Sequence, residues 1–316
     1  FVRSDRRGDS PAREHAARTR QLRPFALRAG LLVAACLAAP LGSARAAEPP
    51  ASQPAGIRYG EPRKLADLAN RAVRESSGLA ASRRHEGVLW THNDSGDRPR
   101  LFAFDLKGRH LATVEIAGAR AADWEDMASY VDPDGKPWLV IGDVGDNGRS
   151  RGAVTLYVVP EPDVGTPREP LEAKAQAAET IRFTYDDGRH DCEAIAVDPA
   201  SGAVYLVSKE IMGCKVYELA RPAKGSDAPA RARSVATVAV PIVTAMDISP
   251  DGLRAILATY GSAYEFTRRP GQGWAEAFAC RPRTLKLPPR RQGEAICFGR
   301  DGATLYLRGL LAGQCI

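Results

Sequence analysis

The chain has 316 residues, of which 44 are Lys or Arg and 38 are Asp or Glu, so its formal net charge is +6. Hydrophobic residues make up 44% of the chain and charged residues 26%, which excludes wholesale disorder. Residues 1–46 hold nine of the basic residues and three of the acidic ones, so 35 of each sign remain and cancel. We therefore expect no nucleic-acid partner for the rest of the chain.

The first predicted element is an export signal at residues 23–46. Arg23 and Arg28 precede an apolar run over 29–41, and the run ends in Gly-Ser-Ala-Arg-Ala-Ala. This order of a charged region, an apolar region and a small-x-small cleavage site is typical of a secretory signal peptide. Because the run is shorter than the roughly 20 residues that span a bilayer, we expect cleavage near Ala47 and no transmembrane segment afterwards.

The segments on either side of the signal carry little pattern. Residues 1–22 contain no Met and are interpreted as a disordered or mistranslated extension, and residues 47–56 are interpreted as a linker. Val33-Ala-Ala-Cys36 also resembles a lipoprotein box. Two locations therefore stay open: a periplasmic or secreted protein, and a protein that is lipid-anchored through Cys36.

A repeated unit fills the remainder of the chain. Each unit opens with an acidic residue and a short apolar strand, passes through a Gly-containing turn, and returns in a second β-branched or aromatic strand. The opening acids, which are 47 to 68 residues apart, are Glu75, Glu125, Glu193, Asp247 and Glu294. This spacing predicts one four-stranded blade of a β-propeller per unit, and the turns are typical of hairpins.

Third and fourth strands are predicted for the first four units, at 101–106 and 111–116, 154–159 and 180–185, 215–219 and 234–240, and 263–267 and 283–287. The fifth unit shows two clear strands. Segment 57–68 can supply a closing strand, and closure removes exposed sheet edges. We predict an all-β fold over 57–316: a β-propeller of five four-stranded blades, or six as the alternative, closed by an N-terminal strand and with a truncated or altered last blade.

Five cysteines follow the signal, and export permits disulfides. Cys192 and Cys214 fall within one repeat and are the predicted pair, with isolated buried thiols as the alternative. The cysteine spacing does not match a zinc site.

Several motifs resemble those of a known group of proteins. They are Glu75-Ser-Ser-Gly-Leu, His92-Asn-Asp-Ser-Gly-Asp, Asp123-Trp-Glu-Asp-Met-Ala, Gly142-Asp-Val-Gly-Asp-Asn, Asp191-Cys-Glu-Ala-Ile and Gly293-Glu-Ala-Ile. Over residues 70–307 the chain resembles exported bacterial WD40-like propellers, which are distantly similar to phytase-like and lactonase-like propellers. The resemblance implies a propeller with acidic loops near its axis that suit calcium. It fixes no activity, because propellers host enzymes and non-enzymes alike.

The opening acids predict a cation site, because the first strand of each propeller blade lines the axial channel. Converging carboxylates repel one another unless a cation lies among them, and oxygen ligands favour Ca²⁺ or Mg²⁺ over zinc. The alternative is that each acid caps the backbone of its own turn. With residues at the strand ends added, and with Lys209 as an internal counter-ion, the predicted calcium ligands are Glu75, Asn93, Asp94, Glu125, Asp143, Asp146, Asn147, Glu193, Asp247 and Glu294.

Two histidines are candidates for a catalytic base. Asp94 follows His92 and Asp191 follows His190, and each acid can polarise its histidine for ester hydrolysis. The chain has no Gly-x-Ser-x-Gly elbow and no dinucleotide fingerprint. Two functions stay open: a calcium-dependent hydrolase of small phosphate or lactone esters, and a non-enzymatic propeller that binds a small molecule or an envelope protein. We expect a monomer in either case.

Overall fold

The computed structural model describes residues 57–165, 167–221, 229–289 and 293–308. Within these ranges the chain forms nineteen strands and one helix of five residues, which confirms the all-β class. The predicted extension, signal and linker over 1–56 lie outside the described residues, as do residues 309–316. In the described part, no helix has the length and apolar character needed to cross a lipid bilayer.

The strands follow one another as antiparallel groups, here called blades. The first blade has β1 (Ser76–Ala81), β2 (Val88–Asn93), β3 (Arg100–Asp105) and β4 (His110–Ala117). The next strands are β5 (Trp124–Val131), β6 (Pro137–Asp143), β7 (Val154–Pro160), β8 (Leu171–Gln176) and β9 (Glu179–Tyr185). The third blade has β10 (Cys192–Val197), β11 (Val204–Ser208), β12 (Cys214–Leu219) and β13 (Ala230–Val238).

The later part of the chain continues the same plan. The fourth blade has β14 (Ala245–Ile248), β15 (Arg254–Ala258), β16 (Ser262–Thr267) and, after helix α1 (Trp274–Phe278), β17 (Arg283–Lys286). The last described pair has β18 (Ala295–Phe298) and β19 (Leu305–Arg308). The third and fourth strands that the repeat predicts are thus present in all of the first four units.

Asp-Gly turns close the first hairpin of the later units. Asp251 Oδ1 accepts a hydrogen bond from the Leu253 amide (3.0 Å), and Asp301 Oδ1 accepts one from the Thr304 amide (2.9 Å). Gly252 and Gly302 follow with φ of +68° and +64°, a backbone region that glycine enters without a Cβ penalty. The side-chain acceptor and the glycine together fix these reversals, which is why the Asp-Gly pattern predicts them.

The first strands of the blades meet around a central channel. β1, β5, β10, β14 and β18 contact one another in that order, and β18 also contacts β1. A separate buried apolar cluster fills the space between each blade and the next. Trp124 is buried between the first two blades, and its Nε1 donates to the Arg120 carbonyl (2.8 Å). The architecture is propeller-like.

Two parallel pairings join neighbouring blades at their outer strands. β8 follows β7 in the chain but pairs with β4 of the first blade. β13 of the third blade pairs with β9 of the second, so that these two blades share one eight-stranded sheet. The repeat does not predict β8, although Leu171, Ala173 and Ala175 alternate with polar residues, because it assigns four strands to this unit and β8 is a fifth.

The predicted closing strand over 57–68 is wrong. This segment has no strand, and only Ala66 forms an isolated bridge; Pro62 has no amide proton for a ladder. Side chains hold the segment instead: the Tyr59 hydroxyl donates to Glu265 Oε1 (2.7 Å), and Arg283 Nη1 donates to the Ile57 carbonyl. The segment therefore packs beside the fourth blade through side-chain contacts.

The predicted disulfide is not formed either. Cys192 lies on β10 and Cys214 on β12, and β11 lies between these strands. Strands two places apart in a sheet are separated by roughly 9.6 Å, which exceeds the Cα spacing that a disulfide permits. Both thiols are free and buried, as in the alternative interpretation.

Candidate metal site at the channel mouth

Three carboxylates from two blades meet at one end of the channel, which we call the mouth. The first strand of each blade begins at the end where the second strand finishes, so residues at these two points come together. Asp94 follows β2, Asp123 precedes β5, and Glu125 is the second residue of β5. One oxygen from each of these three residues lies within 4.8 Å of the others. This is the one group in the described part of the chain whose spacing suits a metal ion.

Bulges place two of the opening acids at the mouth. The pairing of β5 with β6 skips between Trp124 and Asp126, and that of β10 with β11 skips between Cys192 and Ala194. The extra residues are Glu125 and Glu193, which a bulge releases from the alternation of the strand. Both side chains are buried. The repeated acid of the second and third units therefore has a shared structural cause.

Gly145, in the loop between β6 and β7, lets the backbone of this loop pack directly against the carboxylate group. A Cβ at this position would come within 2.5 Å of Asp123 Oδ2 and would also collide with Glu125 Oε1. The Gly145 amide donates to the Asp123 carbonyl (3.2 Å), which holds the loop close. No other residue fits without moving the carboxylates, so the glycine is part of the site.

Burial and the charges of neighbouring carboxylates raise the pKa of Glu125, Asp123 and Glu193 at the mouth. Burial, followed by the charge of Glu193, raises the pKa of Glu125. Burial and the charge of Asp94 raise the pKa of Asp123 to about 6. Burial also raises the pKa of Glu193, against the effect of Lys209. A divalent cation at this position would relieve the repulsion.

Lys209 is the counter-ion that the sequence predicts. Its Nζ lies 2.5 Å from Glu193 Oε1. Burial lowers the Lys209 pKa, but the hydrogen bond and charge of Glu193 outweigh it, so the pKa is raised and the ammonium persists. Glu193 is therefore paired, whereas Asp94, Asp123 and Glu125 face one another.

The remaining opening acids take different positions. Glu75 is exposed and precedes β1, where Ser77 occupies the bulge and donates to Glu125 Oε2 (3.4 Å). Glu294 is half-buried just before β18, and burial and the charge of Asp94 raise its pKa. Both lie at the rim of the mouth.

A deeper pair of acids binds backbone instead. Asp126 Oδ2 accepts the amides of Ile195 (3.0 Å) and Met246 (3.1 Å), on the first strands of the third and fourth blades. Asp247 Oδ2 accepts the Phe298 amide of β18 (2.7 Å). Burial raises the pKa of both acids, that of Asp247 to about 6. Asp247, a predicted calcium ligand, thus accepts a backbone amide of another unit, in addition to the Ile248 amide of its own strand.

Four further predicted ligands organise loops or lie in solvent. Asn93 Oδ1 accepts the Arg74 amide (2.9 Å). Asp143 accepts the Asp123 amide (3.0 Å) and pairs with Arg151 (2.9 Å). Asp146 accepts the amides of residues 150 and 151, and Asn147 is exposed. Asn93, Asp143 and Asp146 thus hold the backbone of the loops around the mouth.

The structure does not bring either histidine to the carboxylate group. His92 is fully buried, packs edge-on against Trp124 and donates from Nδ1 to the Asn93 carbonyl (2.9 Å). Burial lowers its pKa, so it is neutral. His190 Nε2 donates to Asp187 (2.9 Å). Asp191, expected to polarise His190, instead accepts the Asp146 amide (2.9 Å).

Sequence reasoning missed Asp123 and Asp126 as functional positions, although both belong to the Asp123-Trp-Glu-Asp motif. One signal was available: residues two apart in an extended chain share a face, which groups Asp123 with Glu125. No such signal exists for Asp126, whose role depends on amides from distant parts of the chain.

Comparison with known proteins gives structural neighbours alone. No family model and no curated protein matches the chain. Similar solved structures include a gluconolactonase from Xanthomonas campestris (12% identity, 76% of this chain and 71% of that one, TM-score 0.41). Others are a nidogen/laminin complex (14%, 74% and 72%, 0.42) and the hydrazine synthase of Kuenenia stuttgartiensis (10%, 76% and 71%, 0.41). At these values the similarities carry no weight in assigning an activity.

Proposed function

We propose that this chain is a five-bladed β-propeller that binds Ca²⁺ at the channel mouth and hydrolyses small lactone or phosphate esters there. The observation that carries the proposal is the approach of Asp94, Asp123 and Glu125 oxygens to within 4.8 Å of one another, with the Gly145 backbone packed against Asp123 and Glu125. The blade count is supported by the contacts of β1, β5, β10, β14 and β18, which run in a cycle.

The donor set fits a hard divalent cation. Carboxylate oxygens without nitrogen or sulfur suit calcium or magnesium, and calcium takes six to eight oxygen ligands. Asp94 and Glu125 as ligands therefore leave positions for water and for a substrate oxygen. When bound, such a cation polarises a carbonyl or phosphoryl oxygen and lowers the pKa of bound water.

The base in this proposal is a carboxylate rather than a histidine. In the described part of the chain neither His92 nor His190 contacts Asp94, Asp123 or Glu125. Asp123, which lies beside Asp94 and Glu125, is the base in this proposal and accepts a proton from water. The buried Glu193–Lys209 pair fixes the opposite side of the mouth. Asp94 and Glu125 bind the cation.

We also propose that the mature protein works outside the cytoplasm, in the periplasm or the medium, or anchored through Cys36. The charged and apolar pattern over 23–46 supports this placement.

The decisive experiment is calorimetric titration of the chelator-treated protein with CaCl₂. We expect one calcium per chain, and Glu125→Gln or Gly145→Ala should weaken binding at least tenfold, since one removes a charged ligand and the other displaces the Asp123 and Glu125 carboxylates. Asp134→Asn, an exposed acid in the turn at the opposite end of β5, is the matched control and should bind like wild type.

Turnover is then measured with calcium present on γ-butyrolactone and p-nitrophenyl phosphate, before and after chelation. Calcium-dependent hydrolysis of either compound supports the proposal. An absence of calcium binding overturns the site. Calcium binding without turnover of either class overturns the hydrolase and leaves a calcium-stabilised binding propeller.

A further inference from the structure

Two large apolar side chains stand in solvent beside the mouth. Ile211 is 80% exposed and Met212 is 87% exposed, the highest values among large apolar residues in the described ranges. They occupy the loop between β11 and β12. Tyr260, 36% exposed, follows β15. Because β2, β11 and β15 are each the second strand of a blade, these loops lie at the same end of the channel as Asp94.

The loop that carries Ile211 and Met212 is held firmly at its base. Lys209 pairs with Glu193 at the mouth. The Glu210 carbonyl accepts the Ile242 amide (2.7 Å), and the Glu210 carboxylate pairs with Arg149 (2.8 Å). The two apolar side chains are therefore presented on an anchored loop, although their exposure costs solvation free energy.

The same loop connects this apolar surface to the candidate site. Lys209 Nζ lies 5.9 Å from the centre of the Tyr260 ring and contacts Glu193 on its other side. Ile211, Met212 and Tyr260, which we call the apolar rim, thus lie on the third and fourth blades. Asp94, Asp123 and Glu125 lie across the mouth on the first and second.

The charge of the mouth disfavours strongly anionic substrates. Lys209, which pairs with Glu193, and Arg151, which pairs with Asp143, are the cations that the described structure places beside these acids, and a bound calcium would add two positive charges. The acids there are Glu75, Asp94, Asp123, Glu125, Asp191, Glu193 and Glu294. Carboxylates outnumber cations in this group, which suits a neutral ester better than a multiply phosphorylated compound.

We propose that the substrate is a neutral lactone with an alkyl or aryl substituent, and that the substituent lies on the apolar rim while the ester carbonyl faces Asp94, Asp123 and Glu125. This inference rests on the proposed function and narrows it. In the reaction, a water oxygen bonds to the carbonyl carbon, and the bond between this carbon and the ring oxygen breaks. One proton of the water passes to the ring oxygen, which becomes a hydroxyl group, and the other passes through Asp123 to solvent, which leaves the carboxylate product.

The test compares γ-decalactone, which carries a six-carbon chain, with γ-butyrolactone, which carries none. In the double variant Ile211→Ser/Met212→Ser the preference for γ-decalactone, as a ratio of kcat/KM values, should fall about tenfold. The loss should appear in KM for γ-decalactone, and the constants for γ-butyrolactone should not change. Val131→Ser, at the far end of β5 and 40% exposed, is the control and should keep the wild-type ratio.

Binding of γ-decalactone, followed by calorimetry with calcium present, separates this inference from the proposed function. Suppose that wild type binds the lactone, that the double variant does not, and that wild type hydrolyses neither compound. Recognition by the apolar rim then stands, and the proposed hydrolase is wrong. If hydrolysis occurs and the double variant keeps the wild-type preference, the inference is overturned while the function survives. Faster wild-type hydrolysis of p-nitrophenyl phosphate than of γ-decalactone also overturns it.

A membrane contact is the remaining explanation for the exposed pair. Sedimentation with phosphatidylcholine vesicles is the check. Retention of wild type but not of the double variant, with unchanged lactone preference, would assign Ile211 and Met212 to a lipid surface and overturn the inference.

Discussion

The channel contains two layers of acids, one partly exposed and one buried, that differ in what their oxygens contact. At the mouth, Asp94, Asp123 and Glu125 face one another. In the interior, Asp126 and Asp247 accept backbone amides from neighbouring blades. Glu125 and Asp126 are adjacent in sequence, yet they belong to different layers because the bulge in β5 changes the direction of one and not the other.

Two adjacent residues of β5 therefore have different roles: Glu125 belongs to the candidate cation site, and Asp126 joins neighbouring blades. The mouth acids repel one another and are costly to the fold unless a cation is present. The interior acids satisfy amides that would otherwise be buried without a partner, which costs free energy for each amide left unpaired. Substitutions in the two layers should therefore differ in their effect on the free energy of unfolding.

The largest expected effect is that of Asp126→Ala on stability. The substitution leaves the amides of Ile195, Met246 and Met127 without their acceptor, so the free energy of unfolding should fall by about 4 kcal/mol. Urea denaturation in the presence of a chelator measures it. Glu125→Ala is the matched substitution and should leave stability unchanged or higher, because it removes a repulsive buried group. Equal destabilisation by both would end the distinction between the layers.

A pH titration of stability sharpens the interior side of the comparison. Burial raises the pKa of Asp247 from 3.8 to about 6, so the folded state holds this proton more tightly than the unfolded state. Its contribution is full below about pH 4 and is lost as the pH rises through 6, by up to about 3 kcal/mol. Wild type should therefore lose stability relative to Asp247→Asn across this window in chelator. A constant difference from pH 4 to 7 would contradict the assignment.

The smallest expected effect concerns His190, which lies in neither layer. Its Nε2 donates to Asp187, which also accepts the Tyr217 hydroxyl (3.0 Å). His190→Gln should therefore change the calcium affinity less than twofold in the calorimetric titration. A tenfold loss would place the histidine in the metal site after all.

The repeat predicted most of the strands because propeller hairpins are local. Short apolar strands and Asp-Gly turns, such as the one at Asp251 and Gly252, are determined by residues that are close together in the sequence. β8 and segment 57–68 depend on distant partners: β8 is stabilised by pairing with β4, and Tyr59 is held by Glu265. The alternation of Leu171, Ala173 and Ala175 in β8 is compatible with a strand, but it does not specify β4 as the partner, and nothing in the sequence pairs Tyr59 with Glu265.

The acids of the site were only partly predictable for a related reason. The sequence marks Glu125 and Glu193 as equivalent, and the matching bulges explain why. It also groups Asp247 with them, but this residue lies deeper, where Phe298 of another blade donates to it. Whether a carboxylate binds a cation or an amide depends on three-dimensional neighbours, and a linear repeat does not specify these.

Because of the parallel pairings of β8 and β13, some neighbouring blades are joined by backbone hydrogen bonds and others are not. β8 ties the chain after β7 to the first blade, and β13 ties the third blade to the second, so backbone hydrogen bonds link three consecutive blades at their outer strands. In the described residues the contacts from the fourth blade through β18 to β1 are made by side chains and channel-lining strands. Breathing of the molecule, as seen in amide exchange, would thus begin between the fourth blade and the first, where Tyr59 packs, and the three linked blades would open together as a single cooperative unit.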